Sequence, residues 1–152
     1  MRTPLIGEHM VRYPYVTNPE QSLAEASELM TELNIRHLPV VSEGLLKGIV
    51  SDRNLKAVAA SENYASLTIG DVMKTDVYIV NAGTPLADVA MDMADGKFGS
   101  AIIVDSEREV IGIFTTTDAL RILAQRIEDE NVESFLLGTD DYEDGLMELN
   151  IG

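Results

Sequence analysis

The chain has 152 residues, 26 Asp+Glu against 11 Lys+Arg, a formal net charge of −15 and no Cys. Such a balance argues against a nucleic-acid or anionic-membrane partner, because both need a basic face, and it removes disulfides, thiolate metal sites and Cys nucleophiles. No apolar run approaches the roughly 20 residues that span a bilayer, and the first residues, MRTPLIGEHMVRY, lack the apolar core of a signal peptide; a cytoplasmic setting is expected.

Taken in order, Tyr15–Thr17 is a short β-prone run closed by Asn18-Pro19. Ser22 with Glu25 reads as a capping box, and Leu23, Ala26, Met30 and Leu33 form one helical stripe that Asn34 ends. Leu38–Val41 is a buried strand, Ser42-Glu43-Gly44 a turn and Leu46–Val50 the return strand. Ser51 opens a helix expected to run to about Ser61. Glu62–Thr68 is a linker. Tyr78–Val80 is the next strand, and Thr84-Pro85 supplies a cap followed by Pro at the first helical position. Leu86, Val89, Ala90 and Met93 make the stripe of that helix, which Gly96 stops. Ala101–Val104 and Val110–Phe114 pair around Asp105–Arg108, and Thr115 opens a last helix through Leu120, Leu123 and Ile127. Nine acids and no Lys or Arg follow Arg126, so most of the charge lies on a C-terminal tail.

The order strand, helix, strand, strand, helix occurs twice, about 63 residues apart. Ile6-Gly7-Glu8-His9-Met10 returns as Ile69-Gly70-Asp71-Val72-Met73, and Gly48-Ile49-Val50-Ser51 as Gly112-Ile113-Phe114-Thr115. A unit of about 60 residues is marginal alone. The two copies are therefore expected to share a core, with related clefts between them.

The segments Asn34–Val41 and Gly48–Leu55, with their partners Gly99–Asp105 and Gly112–Asp118, resemble the CBS (cystathionine β-synthase type) domain. The resemblance implies an α+β fold of two β-α-β-β-α repeats packed with pseudo-two-fold symmetry: repeat 1 at residues 5–61, a linker at 62–68, repeat 2 at 69–127 and an acidic tail at 128–152. It implies a regulatory, non-enzymatic module that binds AMP, ADP, ATP or an adenosyl compound such as S-adenosylmethionine, requires no cofactor, forms a homodimer and serves signal transduction. It also implies roles for particular residues. Asp118 would hold a ribose diol, and Thr115 a phosphate or ribose. Asp76, Val77, Ser100, Ala101 and Ile102 would line the adenine. Arg36, His37, Pro39, Ser51, Arg53 and Asn54 would form a phosphate site or second cleft.

Chemistry supports part of this reading. An ionised carboxylate accepts from both ribose hydroxyls. Asn54 stands where the first repeat would need that carboxylate, so a weaker ribose grip is expected there. The cations Arg36, Arg53 and Lys56, with His37, all fall in repeat 1, opposite Gly99, Ser100, Thr117 and Leu120 of repeat 2. Thr-x-x-Asp is also a plain capping pattern, and surface Arg residues commonly sit in weak ion pairs. An interaction and dimerisation scaffold with degenerate ligand sites therefore stays open beside the sensor. His9 and His37 lack zinc-ligand spacing. Asp140–Gly145 resembles a calcium loop, but Tyr142 and Ile151 occupy ligand positions. The tail, with Phe135, Leu136, Leu146 and Met147 among its acids, is either a solvated segment or a contact for a protein target.

Overall fold

A computed structural model of the chain describes residues 2–130. It has one compact unit ending at Thr115 and a second beginning at Thr116. The calcium-like loop and the apolar residues of the tail lie outside the described residues.

In the first unit the elements are β1 (Val11–Arg12), α1 (Leu23–Leu33), β2 (His37–Ser42), β3 (Leu45–Ser51), α2 (Asp52–Val58), α3 (Ile69–Val72), β4 (Ile79–Asn81), α4 (Leu86–Gly96), β5 (Ser100–Val104) and β6 (Val110–Thr115). Strands β2 and β3 form an antiparallel pair, while the other sheet runs β1-β6-β5-β4. The repeat appears as a reciprocal exchange of leading segments. Ile6 N–H donates to Thr84 O at 2.8 Å, and the equivalent Ile69 N–H donates to Gln21 O at 2.9 Å. Val11 pairs with Ile113 in β6, and Lys74 forms the matching bridge to Ile49 in β3. Each copy's opening residues thus complete the other copy.

The apolar pattern explains why the exchange holds. Ile69 is fully buried among Leu23, Ala26, Met30, Leu38, Val40, Val50 and Leu55, so a residue of the second copy closes the core of the first. Ile6 is likewise fully buried. Burying an isoleucine contributes about 2–3 kcal/mol, so neither copy is complete without the other's opening residues.

Several local expectations are corrected. Tyr15–Thr17 is not a strand. Tyr13 sits at φ 47°, Pro14 has no N–H, and Tyr15 and Val16 are exposed, so only Thr17 bridges, between Pro39 O and Val41 N. The strand β1 lies earlier, at Val11–Arg12. Helix α2 stops at Val58 rather than near Ser61, because Ala59 and Ser61 bond back three residues in a tight turn. Pro85 rather than Thr84 occupies the cap position of α4, its carbonyl accepting from Val89 N–H at 3.1 Å. Ser22 does cap α1, its hydroxyl accepting from Glu25 N–H at 3.2 Å.

The second unit contributes one described element, α5 (Thr116–Asp129). No residue of α5 is buried, and Leu120 and Leu123 are 66% and 55% exposed.

Candidate functional site

The first unit contains a cavity of about 550 Å³. Arg36 and His37 reach it from the start of β2, and Ser51, Asp52, Arg53, Asn54 and Lys56 from the end of β3 and α2. Lys74, Asp76, Val77 and Tyr78 enter from the segment before β4, and Lys97, Phe98, Gly99 and Ser100 from the turn between α4 and β5. The exchanged backbone causes this convergence. Ile49 and Lys74 bond each other N–H to O twice, at 2.8 Å, carrying residues 74–78 alongside β3. His37 pairs with Ser51 across β2 and β3, and Asp52 N–H donates to Arg36 O.

Of the 11 Lys and Arg in this acidic chain, Arg36, Arg53, Lys56, Lys74 and Lys97 line this one cavity, against two carboxylates, Asp52 and Asp76. The cavity is therefore a positive focus in a negative molecule, which attracts anions. Lys56 pairs with Asp52 at 2.8 Å; Arg36, Arg53, Lys74 and Lys97 make no ion pair among the described residues.

The neutral groups are equally informative. Burial, and then the Arg36 charge, hold the His37 imidazole below its usual 6.5. A side chain at Gly99 would press on it, for a Cβ there would lie 3.0 Å from His37 Nε2. Tyr78 and Phe98 stack with ring centroids 5.3 Å apart and 12° between planes, giving the cavity an aromatic wall. Burial, the 2.7 Å hydrogen bond to Asp92 and nearby carboxylate charge push the Tyr78 phenol up to about 12.

Asn54 is committed locally. Its Oδ1 accepts from Ser51 N–H at 3.0 Å and from Ser51 Oγ at 2.9 Å, closing a reciprocal cap with Asn54 N–H on Ser51 Oγ. Because that atom accepts from a backbone N–H it is the oxygen, which leaves the amide nitrogen as a donor.

The cavity thus brings Asp76, Val77 and Ser100 together with Arg36, His37, Ser51, Arg53 and Asn54. Pro39, Ala101 and Ile102 are fully buried core residues and do not line it. The Ile102 N–H, moreover, already donates to Tyr78 O at 2.9 Å. Thr115 ends β6 opposite Ser100. Asp118 lies in the first turn of α5 with Arg121 at 3.8 Å. Lys74, Lys97 and Phe98 were not singled out from the sequence. The repeat offset alone could have flagged Lys97, which takes the left-handed position that Asn34 takes in the first copy.

The family model for the CBS domain matches residues 6–61 and again 69–125. The chain therefore belongs to the CBS-domain family, as a tandem pair. It is 30% identical to the CBS domain-containing protein YhcV of Bacillus subtilis over 74% of this chain and 81% of that one. Its fold is similar to the CBS domain pair of protein MJ0100, solved with 5′-methylthioadenosine and S-adenosyl-L-methionine (TM-score 0.73, 28% identity, 82% and 99% of the two chains). It is also similar to CBSX2 of Arabidopsis thaliana, solved with AMP (TM-score 0.71, 29% identity, 80% and 96%). The chain spans less than half the length of the first curated relatives it matches, and what it shares with them is the CBS portion. Among the described residues, no helix is long and apolar enough to cross a membrane.

Proposed function

We propose that the chain is a regulatory, non-catalytic module that senses a phosphorylated adenosine compound in its cationic cavity. The observation that carries this reading is the gathering of Arg36, Arg53, Lys56, Lys74 and Lys97 around one space that also has an aromatic wall. Phosphate needs charge-assisted donors, and a flat base needs an apolar or aromatic face. Relatives with the same fold, crystallised with AMP or with adenosyl compounds, support the choice of adenosine. A ligand held by four separate segments would bias how those segments sit, and it can shift that balance only by its differential affinity for the two arrangements. Thr115 and Asp118 do not line this cavity, and the phosphate or ribose role that the family pattern implies for them is a separate proposal. For a nucleotide whose ribose Asp118 itself holds, Asp118→Ala is expected to weaken binding about tenfold, the size of one lost charge-assisted bond.

A scaffold reading has one observation in its favour: the Asn54 oxygen is closed onto Ser51 rather than left to accept from a sugar. A thermal-shift panel of AMP, ADP, ATP, NAD and S-adenosylmethionine separates the two. A sensor is stabilised by roughly 2.7 kcal/mol at 100 times its Kd. A transition temperature unmoved by every adenosine compound overturns the sensor.

A further inference from the structure

The charge of the cavity says more than that its ligand is an anion. With Lys56 and Asp52 paired to each other, Arg36, Arg53, Lys74 and Lys97 face a single remaining carboxylate, Asp76. With His37 neutral, the balance is three positive charges. A terminal phosphate carries about −1.5 to −2 at neutral pH, and each further linked phosphoryl group adds about one more negative charge. A monophosphate therefore leaves the cavity positive, whereas a di- or triphosphate matches it. A sulfonium ligand would bring positive charge into an already positive space.

Placement agrees. The four cations come from four segments rather than from one edge. Lys74 is fixed by its two backbone bonds to Ile49. Lys97 sits at φ 54°, closing α4, with Phe98 N–H on Met93 O at 2.9 Å. A left-handed helix end favours Gly or Asn, the residue at the equivalent position of the first copy. Here the chain holds a long cation at that strained position and turns it into the cavity.

We propose that this cavity is a polyphosphate grip, in which Arg36, Arg53, Lys74 and Lys97 together hold the linked phosphoryl groups of a nucleoside di- or triphosphate. The identity of the nucleoside rests on the adenosine reading above; the grip does not. His37, which lines the same cavity, lends a further donor when protonated.

Calorimetric titration of the full chain with sodium tripolyphosphate, AMP, ADP, ATP and S-adenosylmethionine at matched ionic strength tests this. Expected is a rise of about tenfold in affinity per added phosphate from AMP to ADP to ATP, one charge-assisted contact each. Measurable tripolyphosphate binding is also expected, with S-adenosylmethionine weaker than AMP. Lys74→Gln and Lys97→Gln should each weaken ATP and tripolyphosphate about tenfold while changing AMP less than threefold. Lys47→Gln, which removes an exposed cation outside the cavity, should change neither. Equal affinity for AMP and ATP, or lysine variants that weaken AMP and ATP alike, overturns the grip. The adenosine reading survives that result so long as AMP binds. Conversely, tripolyphosphate binding as tightly as ATP, with no response to AMP, upholds the grip and overturns the adenosine reading.

Discussion

Gly48 and Gly112 occupy equivalent positions in the two repeats, yet alanine should be tolerated very differently at them. A Cβ at Gly48 would lie 2.6 Å from the Lys74 carbonyl oxygen and 2.9 Å from Met73 Sδ. Ordinary contact begins near 3.4 Å, so the carbonyl must retreat by about 0.8 Å. That carbonyl accepts from Ile49 N–H at 2.8 Å, and Lys74 N–H returns a bond to Ile49 O at 2.8 Å. A retreat of that size takes the first bond past the normal range and skews the second. Two backbone bonds at about 1 kcal/mol each, with about 1 kcal/mol or more of overpacking, give a cost of about 3 kcal/mol. The three atoms nearest a Cβ at Gly112 all belong to the flexible side chain of Met10, with no backbone atom among them, so about 1 kcal/mol is expected there. Urea unfolding of both variants measures the difference. In a chain of this size Gly48→Ala should also lower Tm by about 6–12 °C. Because Lys74 moves with its carbonyl, the same variant should weaken tripolyphosphate, whereas Gly112→Ala should not. Equal costs at the two positions, or a larger one at Gly112, would refute the reasoning.

His37 and Tyr78 supply two pH tests. The folded state holds His37 below 6.5, so the unfolded chain binds that proton more readily. The His37 contribution is therefore fully present above about pH 6.5 and is lost as pH falls through the lowered value. His37→Gln should remove that part of the acid-side loss of Tm, and an identical pH dependence in the variant would contradict it. A bound phosphate favours the imidazolium, so ATP affinity should rise from pH 7.5 to pH 6 in the native chain and stay flatter in His37→Gln. For Tyr78, ultraviolet titration should find one of the five tyrosines ionising at about 12. Asp92→Asn should bring it down, because it removes a carboxylate that accepts from and opposes the phenol.

The parts of this structure that were legible in the sequence are those set by short-range chemistry and by the repeat. Ser22 and the stripe Leu23, Ala26, Met30 delimit α1 because cap and period act locally. A shared core was readable from the duplication, since a copy of about 60 residues is marginal alone; the reciprocal docking of Ile6 and Ile69 that achieves it is visible only in the structure. The first copy's departure at Asn54 was also readable, and the structure gives its physical form as a closed cap with Ser51. Tyr15–Thr17 misled because β propensity there yields to Pro14 and to the left-handed turn at Tyr13. The cavity roles of Lys74 and Lys97 were hidden for a different reason, although the repeat offset marks Lys97 as the counterpart of Asn34. Each stands in a connecting segment, and only the exchanged backbone and a left-handed helix end bring them beside Arg36 and Arg53.

The chain has two histidines, exposed His9 outside the cavity and His37 within it, so imidazole NMR during an ATP titration reports on the cavity with its own internal reference. Expected is a saturable shift of the His37 ring resonances, in step with calorimetric binding and in the direction of protonation, while His9 stays still. ATP that binds and stabilises the protein with the His37 ring unmoved would place the ligand elsewhere and contradict the central claim.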